Sequence, residues 1–469
     1  MSEEKKTVLS RRAFLRGASL VAAGGVLAAC TPSTPAPTSA PQAEGGQEQP
    51  TAVAPAAEGA VIQYWVNWGG SYAGTVWDNL KETEEFKQLI GNNTLELKGS
   101  AGGEVTLTAV AAGAPPDAYS GDEVLDYMAR EVCLPIEDWV AASAILKQDK
   151  FLEGNWTNGF WKGTQYGVPA NECFLRYGLN YNSKMVTDAG LDPDNPPVTW
   201  DECLTWHEAL TKFDAAGNML QIGLDPYDAM GGSFACVDGF FPAVSWNWQW
   251  FDESTGQFDL NNDNMIKALD VMGEFYKIVG PDNMVGMRQV EGQGDWGGSM
   301  NAGVQAMIIE GYWSPGERTI AKPEITKYNR VTWAPVPEER RGVKVQGTGG
   351  HYVIMFKDAK HPEVMFTIAE FLNTNVACDI IFKNVGWLPA LKTYLETVDP
   401  SVFTGLDFYF KSIDEATEWH VPAHCPITGF ANTQFVELRE MVYREKMTAA
   451  DAAAELQKRC EDEYKASNF

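Results

Sequence analysis

Positive charge is scarce in this chain of 469 residues: 36 lysines and arginines stand against 63 aspartates and glutamates, a formal net charge of −27. A nucleic-acid binder needs a basic stripe to displace counterions, and none is visible, so nucleic acid is excluded as a partner and polyanionic substrates are disfavoured. Long apolar runs are absent too; after the first 30 residues no stretch approaches the ~20 apolar residues of a spanning helix. No C-x-x-C, G-x-S-x-G or H-E-x-x-H occurs, which removes the commonest dithiol, hydrolase and zinc-protease signatures, and no period of 20–50 residues marks a solenoid or propeller. Histidine is rare, at five residues. His420, His424 and Cys425 are near one another, but Pro422 and Pro426 bar a helical face and no fourth ligand is close, so they read as loop residues and no metal is expected. Gly292-Gln293-Gly294-Asp295-Trp296-Gly297 spells G-x-G-x-x-G without the preceding strand and following helix that a dinucleotide site requires, and no cofactor is expected either. Acidic pairs are too plentiful to single out a glycosidase pair.

What is present is the balance of a globular chain, 45% hydrophobic and 21% charged, long enough for two lobes. Its start is an address. Ser10-Arg11-Arg12-Ala13-Phe14-Leu15-Arg16 precedes a short apolar stretch ending in Leu27-Ala28-Ala29-Cys30, too short to span a bilayer and ending in small residues suited to a peptidase. Residues 1–29 resemble a twin-arginine export signal joined to a bacterial lipobox. The resemblance implies that Cys30 becomes the lipidated first residue of an exported chain, held at the outer or periplasmic face of a bacterial membrane by its acyl chains.

Residues 31–59 contain six prolines, three acids and no aromatic or basic residue. Such a segment cannot bury a core and reads as a solvated spacer, with a reach of roughly 90 Å in extended form. Seven cysteines remain beyond Cys30; an odd, widely spaced set in a chain expected to fold before export predicts buried thiols rather than a disulfide framework.

At Val61 the composition changes. Val61-Ile62-Gln63-Tyr64-Trp65-Val66 has the β-branched and aromatic content of a buried strand, followed by a loop from Asn67. Thr199-Trp200-Asp201-Glu202 is a capping box that predicts a helix with Cys203, Leu204, His207, Leu210 and Phe213 along one face. A second helix is predicted after His361-Pro362, with Val364, Ile368, Phe371 and Leu372 inward, and a third after Thr448, carrying Leu456 and Cys460. Interleaved strands and helices predict α/β layers.

Several landmarks then follow in order. Gly113-Ala114-Pro115-Pro116-Asp117-Ala118 precedes Ser120-Gly121-Asp122; Tyr166-Gly167-Val168-Pro169 precedes Leu179-Asn180-Tyr181-Asn182; Pro196-Pro197-Val198-Thr199-Trp200-Asp201-Glu202 comes next. Ala302-Gly303-Val304-Gln305-Ala306-Met307 runs on to Gly311-Tyr312-Trp313, and Gly386-Trp387-Leu388-Pro389-Ala390 closes the series. Together they resemble the family 1 extracellular solute-binding proteins of ATP-driven importers. The resemblance implies a type II periplasmic-binding-protein fold: an α/β architecture of two discontinuous lobes, residues 61–171 with 335–384 and residues 172–334 with 385–469, joined by hinge crossovers around a ligand cleft. It further implies a monomeric, non-enzymatic receptor that hands a small solute to the permease subunits of an ABC transporter.

Sixteen tryptophans are many. Any one of them is more often packing than site, but several fall in the landmark loops, and a sugar ring needs flat aromatic faces for its C–H surface together with polar partners for its hydroxyls. The expected ligand-binding set is Asn67, Trp68, Asp122, Asn171, Glu172, Trp246, Trp248, Trp296, Trp313, His351 and Trp387, with Trp65, Trp250 and Glu310 in or beside the same loops. Arg176 and Lys184 at the crossover are the only cations there, so a neutral ligand, a mono- or oligosaccharide, is expected over an anion. The alternatives are a glycerol phosphate or a cationic solute on the same fold, or an extracellular carbohydrate-active enzyme.

Overall fold

The computed structural model describes residues 59–467 apart from 69, 123, 171, 228–242 and 288–297. The signal, Cys30 and the spacer lie outside the described residues, as do Asn171, Trp296 and the glycine-rich stretch 292–297.

Two five-stranded sheets organise the described chain. In chain order their strands are β1 (Val61–Val66), β2 (Thr94–Lys98), β3 (Ala118–Gly121), β4 (Gly167–Pro169), β5 (Gly178–Asn182), β6 (Lys212–Phe213), β7 (Met219–Leu224), β8 (Gln305–Glu310), β9 (Asn329–Thr332) and β10 (Tyr352–Met355). The first sheet has the order β2-β1-β3-β10-β4, the second β9-β5-β8-β7-β6. β1 is parallel to β2 and β3, while β10 enters antiparallel between β3 and β4. In the second sheet β8 is parallel to β7, and β5 enters antiparallel between β8 and β9. Each sheet thus takes in one strand that arrives by a crossover from the other. This is the α/β two-lobe architecture that the landmarks imply.

Local chemistry explains the elements that carry the landmarks. Along β1, Ile62, Tyr64 and Val66 face inward and their neighbours do not, the period-two pattern of a half-covered strand. Asp117, in the turn before β3, accepts from the backbone N–H of Gln63 with one carboxylate oxygen and from those of Lys360 and His361 with the other, at 2.7 to 2.9 Å. One buried carboxylate therefore ties β1, β3 and the start of a later helix together. Thr199 caps helix α1 (Trp200–Leu210) by accepting from Glu202 N, and the Glu202 carboxylate reaches back to accept from Val198 N, one residue before the cap, at 2.8 Å, a variant of the capping box. Cys203, His207 and Leu210 are buried on that helix, and Leu204 is partly so. Phe213 departs from the expectation: the helix stops at Leu210, its C-cap Thr211 is extended, and Phe213 lies in the short strand β6, 43% exposed.

Helix α2 (Trp313–Ala321) follows β8, and α3 (Pro362–Leu372) begins with proline at its first turn and buries Ile368, Phe371 and Leu372. Helix α4 (Asn375–Val385) ends on Gly386, whose φ of 76° is the left-handed cap that glycine alone adopts without cost. Helix α5 (Ala449–Ser467) is capped by Thr448, which accepts from Asp451 N, and buries Leu456 and Cys460. Among the described residues no single helix is long and apolar enough to cross a membrane.

Each sheet has its own core. The C-terminal stretch divides its burial: Trp387, Leu388, Leu391, Leu406 and Tyr409 join the first core, whereas Cys425, Phe435, Leu456 and Cys460 join the second. The six described cysteines are all free and buried, and burial pushes thiols such as Cys378 and Cys460 up to about 12.

Candidate ligand site at the junction of the two sheets

The polypeptide crosses between the sheets at residues 170–177 and again at 333–351, and these segments run against each other. Ala170 N donates to His351 O at 2.8 Å, His351 N to Glu172 O at 2.7 Å and Arg176 N to Gly347 O at 3.0 Å, with Leu175 and Thr348 paired as antiparallel bridge partners. The approach is close. A Cβ on Gly350 would run into the Glu172 carbonyl oxygen and the Cys173 sulfur, so only glycine fits there. A third segment packs on the pair, since Cys173 N donates to Leu388 O at 2.9 Å.

Strand ends deliver side chains to this junction, as strand termini do in open α/β sheets. Asn67 and Trp68 follow β1, and Asp122 follows β3, where its carboxylate accepts from Asn67 Nδ2 at 2.6 Å. Glu172 and Arg176 come from the first crossover, and His351 directly precedes β10. From the second sheet come Glu310 at the end of β8 and Trp313 at the start of α2. Trp387 follows the Gly386 cap. Its ring meets Trp68 edge to face at 5.3 Å, and both rings are 6.0 Å from the imidazole of His351. The indole N–H of Trp387 donates to Glu317 Oε1 at 2.8 Å, that of Trp313 donates to Glu310 Oε2 at 2.5 Å, and the Arg176 guanidinium is 5.0 Å from the centre of the Trp313 ring.

The polar atoms of the junction are unusual in what they lack. Among the described residues, both carboxylate oxygens of Glu172, Asn67 Oδ1, Trp68 Nε1 and His351 Nδ1 are buried with no hydrogen-bond partner. Arg176 Nη2 and His351 Nδ1 are 3.5 and 3.6 Å from Glu172 Oε2, beyond good hydrogen-bonding distance. Each such atom costs about 1–3 kcal/mol unless something pairs with it, and native proteins keep few of them. Five in one cluster is the signature of a site that a polar molecule completes. Four of the five are acceptors or, at His351, a ring nitrogen whose role follows the tautomer, so the partner they fit is rich in donors.

Burial sets the protonation states here. It lowers the His351 pKa, against the pull of Glu172 and Asp122, and so keeps that imidazole neutral near neutral pH. Burial also holds the Glu317 carboxyl well above its usual range; the Trp387 N–H opposes this and the Glu310 and Glu172 charges add to it. Arg318, next to it, is lowered by burial to about 10 and keeps its charge. The Arg176 guanidinium is held charged because Glu172 and Asp122 outweigh its desolvation.

Of the residues expected at the site, Asn67, Trp68, Asp122, Glu172, Trp313, His351 and Trp387 share the junction. Trp246 and Trp248 do not join them. Trp246 stacks on Trp200 at 6.3 Å and 7° inside the second core, and Trp248 packs at that core's edge with its N–H on Asp259 O at 3.0 Å. Trp250 is buried in the same core, and Trp65 lies under Lys98 Nζ at 3.7 Å. Lys184 pairs with Asp188 on the surface, leaving Arg176 as the junction's described cation from the crossover. Glu317 was not among the expected residues; a single glutamate in the first turns of a helix ordinarily faces water. His424 lies against the Trp161 ring at 5.7 Å and near Glu253, and among the described residues no group of three metal-ligating side chains forms.

The sequence pattern of the family described as Bacterial extracellular solute-binding protein matches residues 69–377, more than half of the chain. Among solved structures, CpMnBP1 with mannotriose bound is similar at 20% identity and a TM-score of 0.73, covering 86% of this chain and 100% of that one. An ABC transporter solute-binding protein from Thermotoga lettingae TMO, bound with α-D-tagatose, is similar at 19% identity and a TM-score of 0.71, covering 86% and 99%. One from Agrobacterium radiobacter K84, in complex with ribitol, is similar at 18% identity and a TM-score of 0.67, again covering 86% and 99%. Likeness at these identities speaks for the fold. Among curated protein sequences there is no match.

Proposed function

Because the chain belongs to the bacterial extracellular solute-binding proteins, a family of binding proteins rather than enzymes, we propose that it is the receptor of an ABC importer for a small carbohydrate or polyol, bound at the junction of the two sheets. The observation that carries this reading is the conjunction of flat rings with unpaired acceptors: Trp68, Trp313 and Trp387 beside the buried carboxylate of Glu172. A pyranose or polyol offers apolar C–H groups to indole rings and hydroxyl donors to carboxylate and amide oxygens. Hydroxyls donating to the Glu172 carboxylate would each contribute about 1.5–3 kcal/mol, because the acceptor is charged and dry. Mannotriose, tagatose and ribitol, the ligands named for the similar structures, are all of this chemistry.

Binding works by grip from both sides. The two sheets present different halves of the junction, so a ligand touching Trp68 and Asp122 on one and Trp313 on the other stabilises the arrangement in which the lobes meet. The permease then receives a receptor whose shape reports occupancy. Asn171, Trp296 and the lobe bounds given above remain part of this reading. So does the anchor: lipidated Cys30 and a spacer of extended composition would tether a monomeric receptor to the membrane while leaving it free to sample the space above it.

A cationic solute is the second reading, favoured by the surplus of carboxylate oxygens at Glu172 and Asp122. A phosphate is opposed by the same oxygens, and Arg176 already faces Glu172. Thermal-shift screening of residues 60–469 against mono- and oligosaccharides, polyols, betaines, polyamines and glycerol phosphates discriminates among these, because a ligand of the native state raises the melting temperature. A sugar or polyol that stabilises the protein and is recovered chemically unchanged is the expected result. Stabilisation by betaines alone would move the assignment to cations, and recovery of a cleaved sugar would make the protein an enzyme.

A further inference from the structure

Glu317 has no role in the reading above, yet it touches the wall of the site. It sits in helix α2 behind β8 of the second sheet, 2% exposed, and its Oε1 accepts the indole N–H of Trp387 at 2.8 Å. Trp387 belongs to the first core, fully buried, with its ring edge to face with Trp68 and 6.0 Å from His351. The bond therefore holds the ring that stands against Trp68 and His351, two of the residues with unpartnered atoms. The backbone is shaped to permit it. A Cβ on Gly316 would stand 2.6 Å from the Gly386 Cα, so helix α2 and the Gly386 cap of α4 can approach only as two glycines, which brings Glu317 and Trp387 within reach.

We infer that Glu317 is a positioning residue of the ligand site: through its hydrogen bond it fixes the Trp387 indole, and Trp387 in turn sets the plane of Trp68 and the place of His351 against the ligand. This rests on the carbohydrate reading of the junction. The alternative for a buried glutamate is a plain contribution to stability, but an acid placed only for stability would be better replaced by an apolar side chain of similar volume. Burial and the neighbouring Glu310 and Glu172 charges raise the carboxyl's pKa and favour its protonated form, and glutamine reproduces both its shape and its carbonyl acceptor.

The test uses residues 60–469, labelled with 15N at tryptophan, together with the variants E317Q, E317A, W387F and E317A/W387F. The Trp387 indole N–H resonance is assigned by its loss in W387F, and its position and protection from exchange report the hydrogen bond with no ligand present. Expected are a wild-type-like resonance in E317Q and a shifted, rapidly exchanging one in E317A. Affinity for mannotriose, α-D-tagatose and ribitol, by calorimetry, should fall about tenfold in E317A and in W387F for whichever of these probes binds the wild type. The double variant should lose no more than either single one, and E317Q should recover most of the loss. An unchanged resonance in E317A overturns the inference, as do losses that add to about a hundredfold, the pattern of two independent structural effects. If none of the three probes binds the wild type, the carbohydrate reading fails while the resonance still decides whether Glu317 positions the ring.

Discussion

Two groups of tryptophans divide this molecule. Trp200, Trp246 and Trp250 fill the second core, and Trp68, Trp313 and Trp387 meet at the junction of the sheets; all six are at most 5% exposed. Burial therefore does not tell site from core. What differs is the company. Trp200 donates to Ser245 Oγ at 2.8 Å, that hydroxyl donates on to Pro335 O, and Trp246 stacks flat above it, so this pair is satisfied within the core and a single atom of the group, Trp250 Nε1, is without a hydrogen-bond partner among the described residues. At the junction the rings stand among charged side chains, and among the described residues Trp68 Nε1 and both oxygens of Glu172 have no hydrogen-bond partner. Rings gathered with several unpartnered polar atoms are a better marker of a ligand site than the aromatic residue alone.

The largest effect that would sharpen this contrast is on stability. Trp200→Ala should cost about 3–5 kcal/mol in urea unfolding, the usual price of emptying a large buried ring, while ligand affinity of the protein that remains folded changes less than about twofold. A marked affinity loss would mean that the second core is part of the site.

Acid should distinguish the regions next. His207 on α1 accepts from Leu224 N and its Nε2 lies 3.1 Å from Phe275 O, so it is held neutral, and burial lowers its pKa from 6.5 to about 4. The unfolded chain then binds more protons between those values, and stability falls as pH drops from about 6.5 to 4, by on the order of 3 kcal/mol. Glu317 acts with the opposite sign: its folded pKa is raised, so its protonated form favours the folded state on the acid side and stability is lost as pH rises past the ordinary carboxyl range. In urea unfolding between pH 4 and 7, the slope of stability against pH should be less positive in His207→Gln than in wild type, whatever Glu317 contributes to both; an unchanged slope in that variant would remove His207 from the account.

Smaller effects belong to the junction. Glu172→Gln keeps shape but removes the charged acceptor, and should weaken sugar binding by about 2 kcal/mol, roughly thirtyfold, in calorimetry. Equal affinity in the two proteins would assign Glu172 to the Arg176 pairing alone. Trp313→Ala should weaken binding by at least ~1 kcal/mol if its ring receives a sugar face; an unaltered affinity in a folded variant would leave that ring as packing under Arg176.

Much of this was legible before any coordinates. The alternation along β1, the Thr199 capping box, the proline start of α3 and the threonine cap of α5 are local signals, decided within a few residues, and the structure reproduces them. The landmark loops were legible for the same reason: Asn67, Asp122, Glu172 and His351 adjoin strand ends, and strand ends face the junction. Non-local facts were not. Nothing in Trp246 or Trp248 separates them from Trp313 until the core that each packs into is known, and Glu317 looks like any solvated helix glutamate until Trp387 arrives from 70 residues away. Phe213 fits the apolar period of α1, but Thr211 breaks the helix two residues earlier. Asp117 shows the same limit, since its turn is plain in sequence while two of the three backbone donors it collects lie more than 240 residues on.

The free thiols turn the protein into its own recorder of opening. A thiol reagent needs an exposed, ionised sulfur, and every described cysteine is buried. Cys203 and Cys378 are enclosed in the second and first cores, so their labelling requires each core to come apart. Cys173 sits in the crossover itself, its Sγ donating to His351 O at 3.2 Å. Cys173 is also a member of the first core, so its modification ahead of the other two would time the parting of the crossover strands before the core around Cys203 or Cys378 opens, giving these motions of the receptor separate chemical clocks without any engineered label.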